Sequence, residues 1–208
     1  MVIVKRRDSS ADPWVWHTSL TGAAYFLKFD STAAQTNTNT PWGTGGWTSS
    51  TFMVTNNGTE NTNASGGTYV AYLFASTTGF SSFGTYTGNG AADGPFIYTG
   101  FKPKYVMVKR TDTSGYDFQI LDTARDTYNV AGNLLQANSN SSEGTGNSTL
   151  DFLMNGIKVR TTAASINASG GTYIYAAFAE QPFKYSASPA ASSNSFVQAV
   201  AFLIGMVF

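Results

Sequence analysis

The chain has 208 residues, 12 Lys+Arg against 12 Asp+Glu, one histidine and no cysteine. The balanced, sparse charge excludes an electrostatic footprint for nucleic acid or an anionic membrane. The cysteine and histidine counts exclude a disulfide framework, a thiolate nucleophile and a multi-histidine metal centre.

Gly, Thr, Ser and Asn dominate, and 14% of the chain is aromatic. Thr and aromatic residues suit a half-buried pleated surface. Gly, Asn, Asp and Ser suit the tight turns between strands. In chain order, Val2-Ile-Val-Lys5 predicts a first strand and Trp14-Val-Trp-His17 a second, after the Asp12-Pro13 turn. Pro41-Trp-Gly-Thr-Gly-Gly-Trp47 reads as a loop. Thr68 to Phe74 alternates around aromatics behind a Ser-Gly-Gly turn, whose glycines tolerate positive φ. Val106-Met-Val-Lys109, Phe118-Gln-Ile-Leu121 and Thr172 to Phe178 predict the matching strands further on. Only Asp122 to Leu135 could carry a helical turn.

These matches are systematic. Asn63-Ala-Ser-Gly-Gly-Thr-Tyr69 recurs as Asn167-Ala-Ser-Gly-Gly-Thr-Tyr173, and Val4-Lys-Arg6 recurs as Val108-Lys-Arg110, 104 residues on in both cases. A common offset predicts a duplicated module. Asp8 then matches Asp112, Trp14 falls opposite Phe118, and His17 opposite Leu121. The expected fold is all-β, with tandem antiparallel sandwich modules of jelly-roll or lectin-like type. Residues 1–78 form the first module and 79–185 the second. Residues 186–208 are a linker and an uncharged apolar tail.

The second copy has an upstream stretch, Gly79 to Lys104, without a counterpart before the first. The first copy therefore reads as cut at its N-terminal side, with an unpaired sheet edge. The tail Phe196–Phe208, a neighbouring subunit or further sequence are candidates to fill it. At 13 residues the tail is shorter than the roughly 20 a membrane span needs. It reads as a buried or docking strand, with a membrane-associated tail or a non-native segment as alternatives.

Gly100-Phe-Lys-Pro-Lys-Tyr-Val-Met-Val-Lys-Arg110, Asp122-Thr-Ala-Arg-Asp126 and the Asn167–Glu180 block resemble a domain of unknown function recurrent in tailed-phage structural proteins. Phe83-Gly-Thr-Tyr-Thr-Gly-Asn-Gly90 is similar to its inter-module segment. The resemblance implies a virion-surface role in tail fibres or related appendages and a lectin-like sandwich. It brings no catalytic residues and no cofactor.

Chemistry is sparse. His17 is the only conventional general base, no Gly-x-Ser-x-Gly elbow is present, and a surface or structural role is expected for it. Asp117, Asp122, Asp126 and Asp151 are the carboxylates a glycan depolymerase could pair. The Asp122–Asp126 run reads better as a turn pinned by an Arg–carboxylate pair. The Asn-x-Ser/Thr triplets at Asn57, Asn63, Asn140, Asn147 and Asn167 read as turn and strand-entry residues. The glycine-rich segments lack the Lys-Ser/Thr ending of a phosphate loop. Trp42 and Trp47 are candidates to stack on sugar rings, or to fold back and cap the sandwich. Asp126 and Tyr128 form a second candidate ligand site. No metal, no cofactor and no catalytic residue is expected. The expected protein is a non-enzymatic virion module on the particle surface, oligomeric, assembled with other virion subunits and adhering to host glycan. A capsid decoration protein and a depolymerase are the alternatives.

Overall fold

The computed structural model describes residues 1–38, 41–43, 47–56 and 62–181. The linker and tail at 186–208, and Asn57, lie outside the described residues.

The described residues form twelve strands and one short helix: β1 (Val2–Arg6), β2 (Trp14–Trp16), β3 (Leu27–Lys28), β4 (Tyr69–Leu73), β5 (Ser81–Thr87), β6 (Phe96–Tyr98), β7 (Pro103–Arg110), β8 (Gln119–Asp122), β9 (Leu135–Gln136), β10 (Leu150–Leu153), β11 (Gly156–Val159), α1 (Ala164–Asn167) and β12 (Thr172–Ala179). The expected all-β class with antiparallel sheets is what the chain adopts. Within Asp122–Leu135 a single helical turn closes, the Asp126 N–H donating to the Asp122 carbonyl at 3.2 Å, and the segment then runs on as a loop and a short strand; among the described residues the one helix is at Ala164–Asn167.

Three sheets form, ordered β3-β2-β1-β4, β5-β12-β7-β8-β9 and β10-β11-β6. Side-chain alternation stacks them. On β7, Val106 and Val108 join Ile97, Leu150, Phe152 and Ile157 of the three-stranded sheet in one core. The alternate residues Tyr105 and Met107 join Ile3, Val15 and Leu27 of the four-stranded sheet, and Phe29 just after β3, in another. The five-stranded sheet is therefore a middle layer buried on both faces, which is why β7 and β12 read as near-continuous apolar runs. The sequence-expected division at 78/79 falls between β4 and β5, and the second of these cores crosses it.

The first and middle sheets share strand order. They also share register: β1 pairs with β4 from Val2↔Leu73 to Arg6↔Tyr69, and β7 pairs with β12 from Val106↔Ala177 to Arg110↔Tyr173. Each position is shifted by 104. Local bonds repeat too. The Tyr69 hydroxyl accepts the Ala64 N–H at 2.9 Å, and the Tyr173 hydroxyl accepts the Ala168 N–H at 2.7 Å. Arg6 chelates Asp8 and Arg110 chelates Asp112 through Nε and Nη2. Gly66 and Gly170, in the two Ser-Gly-Gly turns, have φ of 74° and 73°, a region that L side chains avoid.

The second hairpin corrects two sequence matches. β1 pairs Val2↔Trp16 and Val4↔Trp14, whereas β7 pairs Val106↔Leu121 and Val108↔Gln119. One extra residue lies between β7 and β8, so Trp14 corresponds to Gln119 rather than Phe118. Leu121 corresponds to Trp16, and His17 to Asp122.

The outer face of the first sheet carries a third core of Val2, Val4, Trp14, Phe26 and Trp42. Here the cover is a loop, not a sheet. The Pro41 carbonyl holds it in place by accepting from the Thr55 and Thr62 hydroxyls at 3.0 and 2.7 Å.

Candidate functional site

Trp42 is fully buried in this third core. Trp47 stacks on Trp16 with centroids 3.9 Å apart and meets Trp42 edge-on at 5.6 Å. Both rings thus fold back on the first sheet. Trp42 offers no face to a sugar, and one face of Trp47 is already taken.

Asp126 and Tyr128 lie together in the loop after β8. The loop is built by its polar side chains. Asp122 accepts the Ala124 and Arg125 N–H groups at its Oδ1 and the Arg125 Nε at its Oδ2, 2.6 Å away. Arg125 also reaches Glu143 at 2.7 Å and the carbonyls of Ile120 and Asn133. This is the pinned turn that the sequence suggested. Asp126 Oδ2 accepts the N–H groups of Gly132 and Asn133 at 3.0 and 2.8 Å. Asp126 therefore braces the loop, and Tyr128 projects from it at 85% exposure. Asp126→Ala is expected to cost about 1–2 kcal/mol, the value of two charge-assisted bonds partly replaced by water. Urea denaturation of the variant checks this, and an unchanged midpoint would remove Asp126 from the bracing role.

The remaining carboxylates are each engaged separately. Asp117 accepts from Asn138 Nδ2 at 2.7 Å, and Asp151 pairs with Arg160 Nε at 2.6 Å. Among the described residues no cluster of His, Cys, Asp or Glu could hold a metal ion, and no helix is long and apolar enough to cross a membrane.

His17 lies between the first and middle sheets, 1% exposed. Its Nδ1 accepts the Ser19 N–H at 3.1 Å, and its Nε2 faces the Tyr175 carbonyl at 3.1 Å. Burial, reinforced by the nearby amino terminus, pushes its pKa down to about 4 against the pull of the Tyr175 carbonyl. Lys109, also interior, gives its Nζ to the carbonyls of Tyr116 and Thr32 at 2.6 and 3.3 Å. Burial lowers its pKa to about 8, opposed by Asp117. Both groups are placed as structural parts of the interior.

The exposed aromatic residues that sequence reasoning missed are Phe96 and Tyr98 on β6. Ile97 between them is buried in the core below. Registers Lys158↔Phe96 and Gly156↔Tyr98 put both rings on the outer face of the three-stranded sheet. Gly156 leaves room there: a Cβ would approach the Phe96 ring at 2.9 Å. Asp151 is opposite Lys158 on the same face, where Lys158 also bonds Asp93 at 2.8 Å. Along the far edge of this sheet runs the Tyr128 loop, tied by Asn129, whose side chain exchanges bonds of 3.1 and 2.8 Å with the Phe152 backbone. β11 and β10 lie between β6 and that loop, three strand spacings or about 14 Å. The available sequence signal was the Phe-Ile-Tyr alternation, with the apolar Ile inward.

The strand order and the three stacked layers define an all-β protein of packed antiparallel sheets. Within that class, residues 1–182 match the family model described as a domain of unknown function, DUF7483, and the chain belongs to that family. No curated protein and no solved structure matches the chain.

Proposed function

We propose that this chain is a duplicated structural module of a bacteriophage virion, part of a tail fibre or appendage, that adheres to host-surface glycan. The observation that carries the reading is the outer face of the three-stranded sheet. Phe96 and Tyr98 stand exposed beside the half-buried Lys158, with Tyr128 at the opposite edge. Flat aromatic faces next to hydrogen-bonding groups suit sugar rings, which have an apolar face and a polar rim. The shared register of the first and middle sheets supports duplication. The low charge and closely packed layers suit a durable multi-chain particle, and oligomerisation with other virion subunits would multiply weak contacts.

The test is a glycan array probed with the protein displayed multivalently. Retention of a defined glycan set is expected. Phe96→Ala with Tyr98→Ala should abolish it, and Tyr128→Ala should weaken it, with denaturation midpoints unchanged for these exposed positions. No retention, or equal retention by all variants, would sink the adhesion reading.

A further inference from the structure

We propose that the outer edge of β4, together with Asn63, is an acceptor site for an extended segment of another polypeptide: an uncharged Ser/Thr/aromatic strand followed by a Gly-Asn-Gly turn.

Met1 and Phe74 exchange backbone bonds at 2.9 Å, and Arg7 donates to the Thr68 carbonyl at 2.9 Å. Antiparallel pairing alternates, so the N–H and C=O groups of Tyr69, Ala71 and Leu73 point away from β1. β4 is the last strand of its sheet among the described residues. It carries no charge, proline or bulge, the usual devices that blunt an edge. Leu73 is 62% exposed.

The middle sheet shows what such an edge takes. The same edge of β12 is covered by β5, from Thr172↔Thr87 to Phe178↔Ser81. Ala177, the counterpart of Leu73, is fully buried. Tyr86 of β5 stacks on Tyr173, centroids 4.9 Å apart, and Tyr69 is the counterpart ring. The turn after β5 then locks onto Asn167. The Asn89 N–H reaches its Oδ1 at 2.9 Å, its Nδ2 reaches Asn89 Oδ1 at 3.1 Å and the Ala91 carbonyl at 2.7 Å, and the Gly90 N–H reaches its backbone carbonyl at 3.0 Å. Asn63 holds the matching position 104 residues earlier and is exposed, with no such turn against it among the described residues. Edge and asparagine thus repeat the two halves of a receptor whose occupied form is present in the same molecule. This inference rests on register alone and is independent of any glycan.

The experiment titrates the full chain with a synthetic peptide of residues 79–94, which carries β5 and its Gly88-Asn89-Gly90 turn. The expected result is saturable one-to-one binding by calorimetry, with slowed amide exchange at Tyr69, Ala71 and Leu73. Asn63→Ala in the protein should weaken binding about tenfold, the loss of an asparagine's paired hydrogen bonds, without shifting the melting temperature. Ala71→Pro should abolish binding, because the outward N–H is gone. If Ala71→Pro does not fold, Asn63→Ala and the exchange map decide the matter. Absence of binding, or protection mapping away from β4, would overturn the proposal. So would self-association of the chain through β4 that the peptide cannot displace, since that would assign the edge to a second copy.

Discussion

Asn167→Ala is expected to destabilise the protein by about 3–4 kcal/mol, while Asn63→Ala changes stability by less than about 0.5 kcal/mol. The two residues occupy the same place in the same Asn-Ala-Ser-Gly-Gly-Thr-Tyr motif. Their surroundings differ. Asn167 is fully buried, and its amide binds Asn89, Ala91 and Thr161. Truncation would remove the buried amide partner of the Ala91 and Thr161 carbonyls and of the Asn89 N–H. Each net bond is worth about 1 kcal/mol, and the vacated volume adds a cavity cost. For a protein of this size the loss should lower the melting temperature by about 10 °C. Asn63 is exposed and has no side-chain hydrogen bond to another described residue to lose. Urea denaturation of both variants tests the pair, and equal losses would contradict the contrast.

Acid is expected to remove about 3 kcal/mol of stability through His17 alone. Nδ1 accepts the Ser19 N–H, so the Nε2–H tautomer, donating to the Tyr175 carbonyl, fits both partners and leaves Nδ1 no room for a proton. The folded pKa, about 4, lies below the ordinary 6.5. As pH falls below 6.5 the unfolded chain takes up a proton that the folded one refuses. Stability from this group is complete above about pH 6.5, falls as pH drops toward 4, and levels off below. Asp112 sits at about 2, held down mainly by its bond from Arg110, so its contribution is lost at lower pH. Midpoints at pH 7, 5.5 and 4.5 should decline in the wild type and decline less in His17→Gln, where the buried amino terminus, lowered to about 6, still loses stability as pH falls below 8. A parallel decline in both proteins would clear His17 of the effect.

How far these features were legible in the sequence depends on the kind of interaction. Strand identity and the register of β1 with β4 and β7 with β12 follow from apolar alternation and a fixed offset, so they were readable. The one-residue shift between β7 and β8 was not, because only pairing reveals which side of the turn is longer, and it misassigned the partner of His17. Trp42 and Trp47 share a glycine-rich stretch that suits either an exposed loop or a folded lid. Tertiary packing on Trp16 chooses the lid, and no local pattern encodes that contact. Asp122 and Arg125 were readable as a pinned turn because both partners lie three residues apart. Asp126 was a ligand candidate because its partners, the Gly132 and Asn133 amides, are backbone groups whose approach no side-chain pattern announces. Phe96 and Tyr98 alternate with Ile97, but which side of β6 meets solvent depends on where the middle sheet lies.

A sheet with cores on both faces also governs how the molecule comes apart. Met107, Ile120 and Ile174 shelter against the first sheet, and Val106, Leu121 and Tyr173 on the same three strands shelter against the outer one. Peeling away either outer layer would strip water-excluding cover from strands that the other layer needs intact. The halves accordingly melt as one cooperative unit rather than as independent beads. Much of the pairing joins distant parts of the chain, as in β5 with β12, so assembly of that unit is slow compared with a helical bundle of equal length.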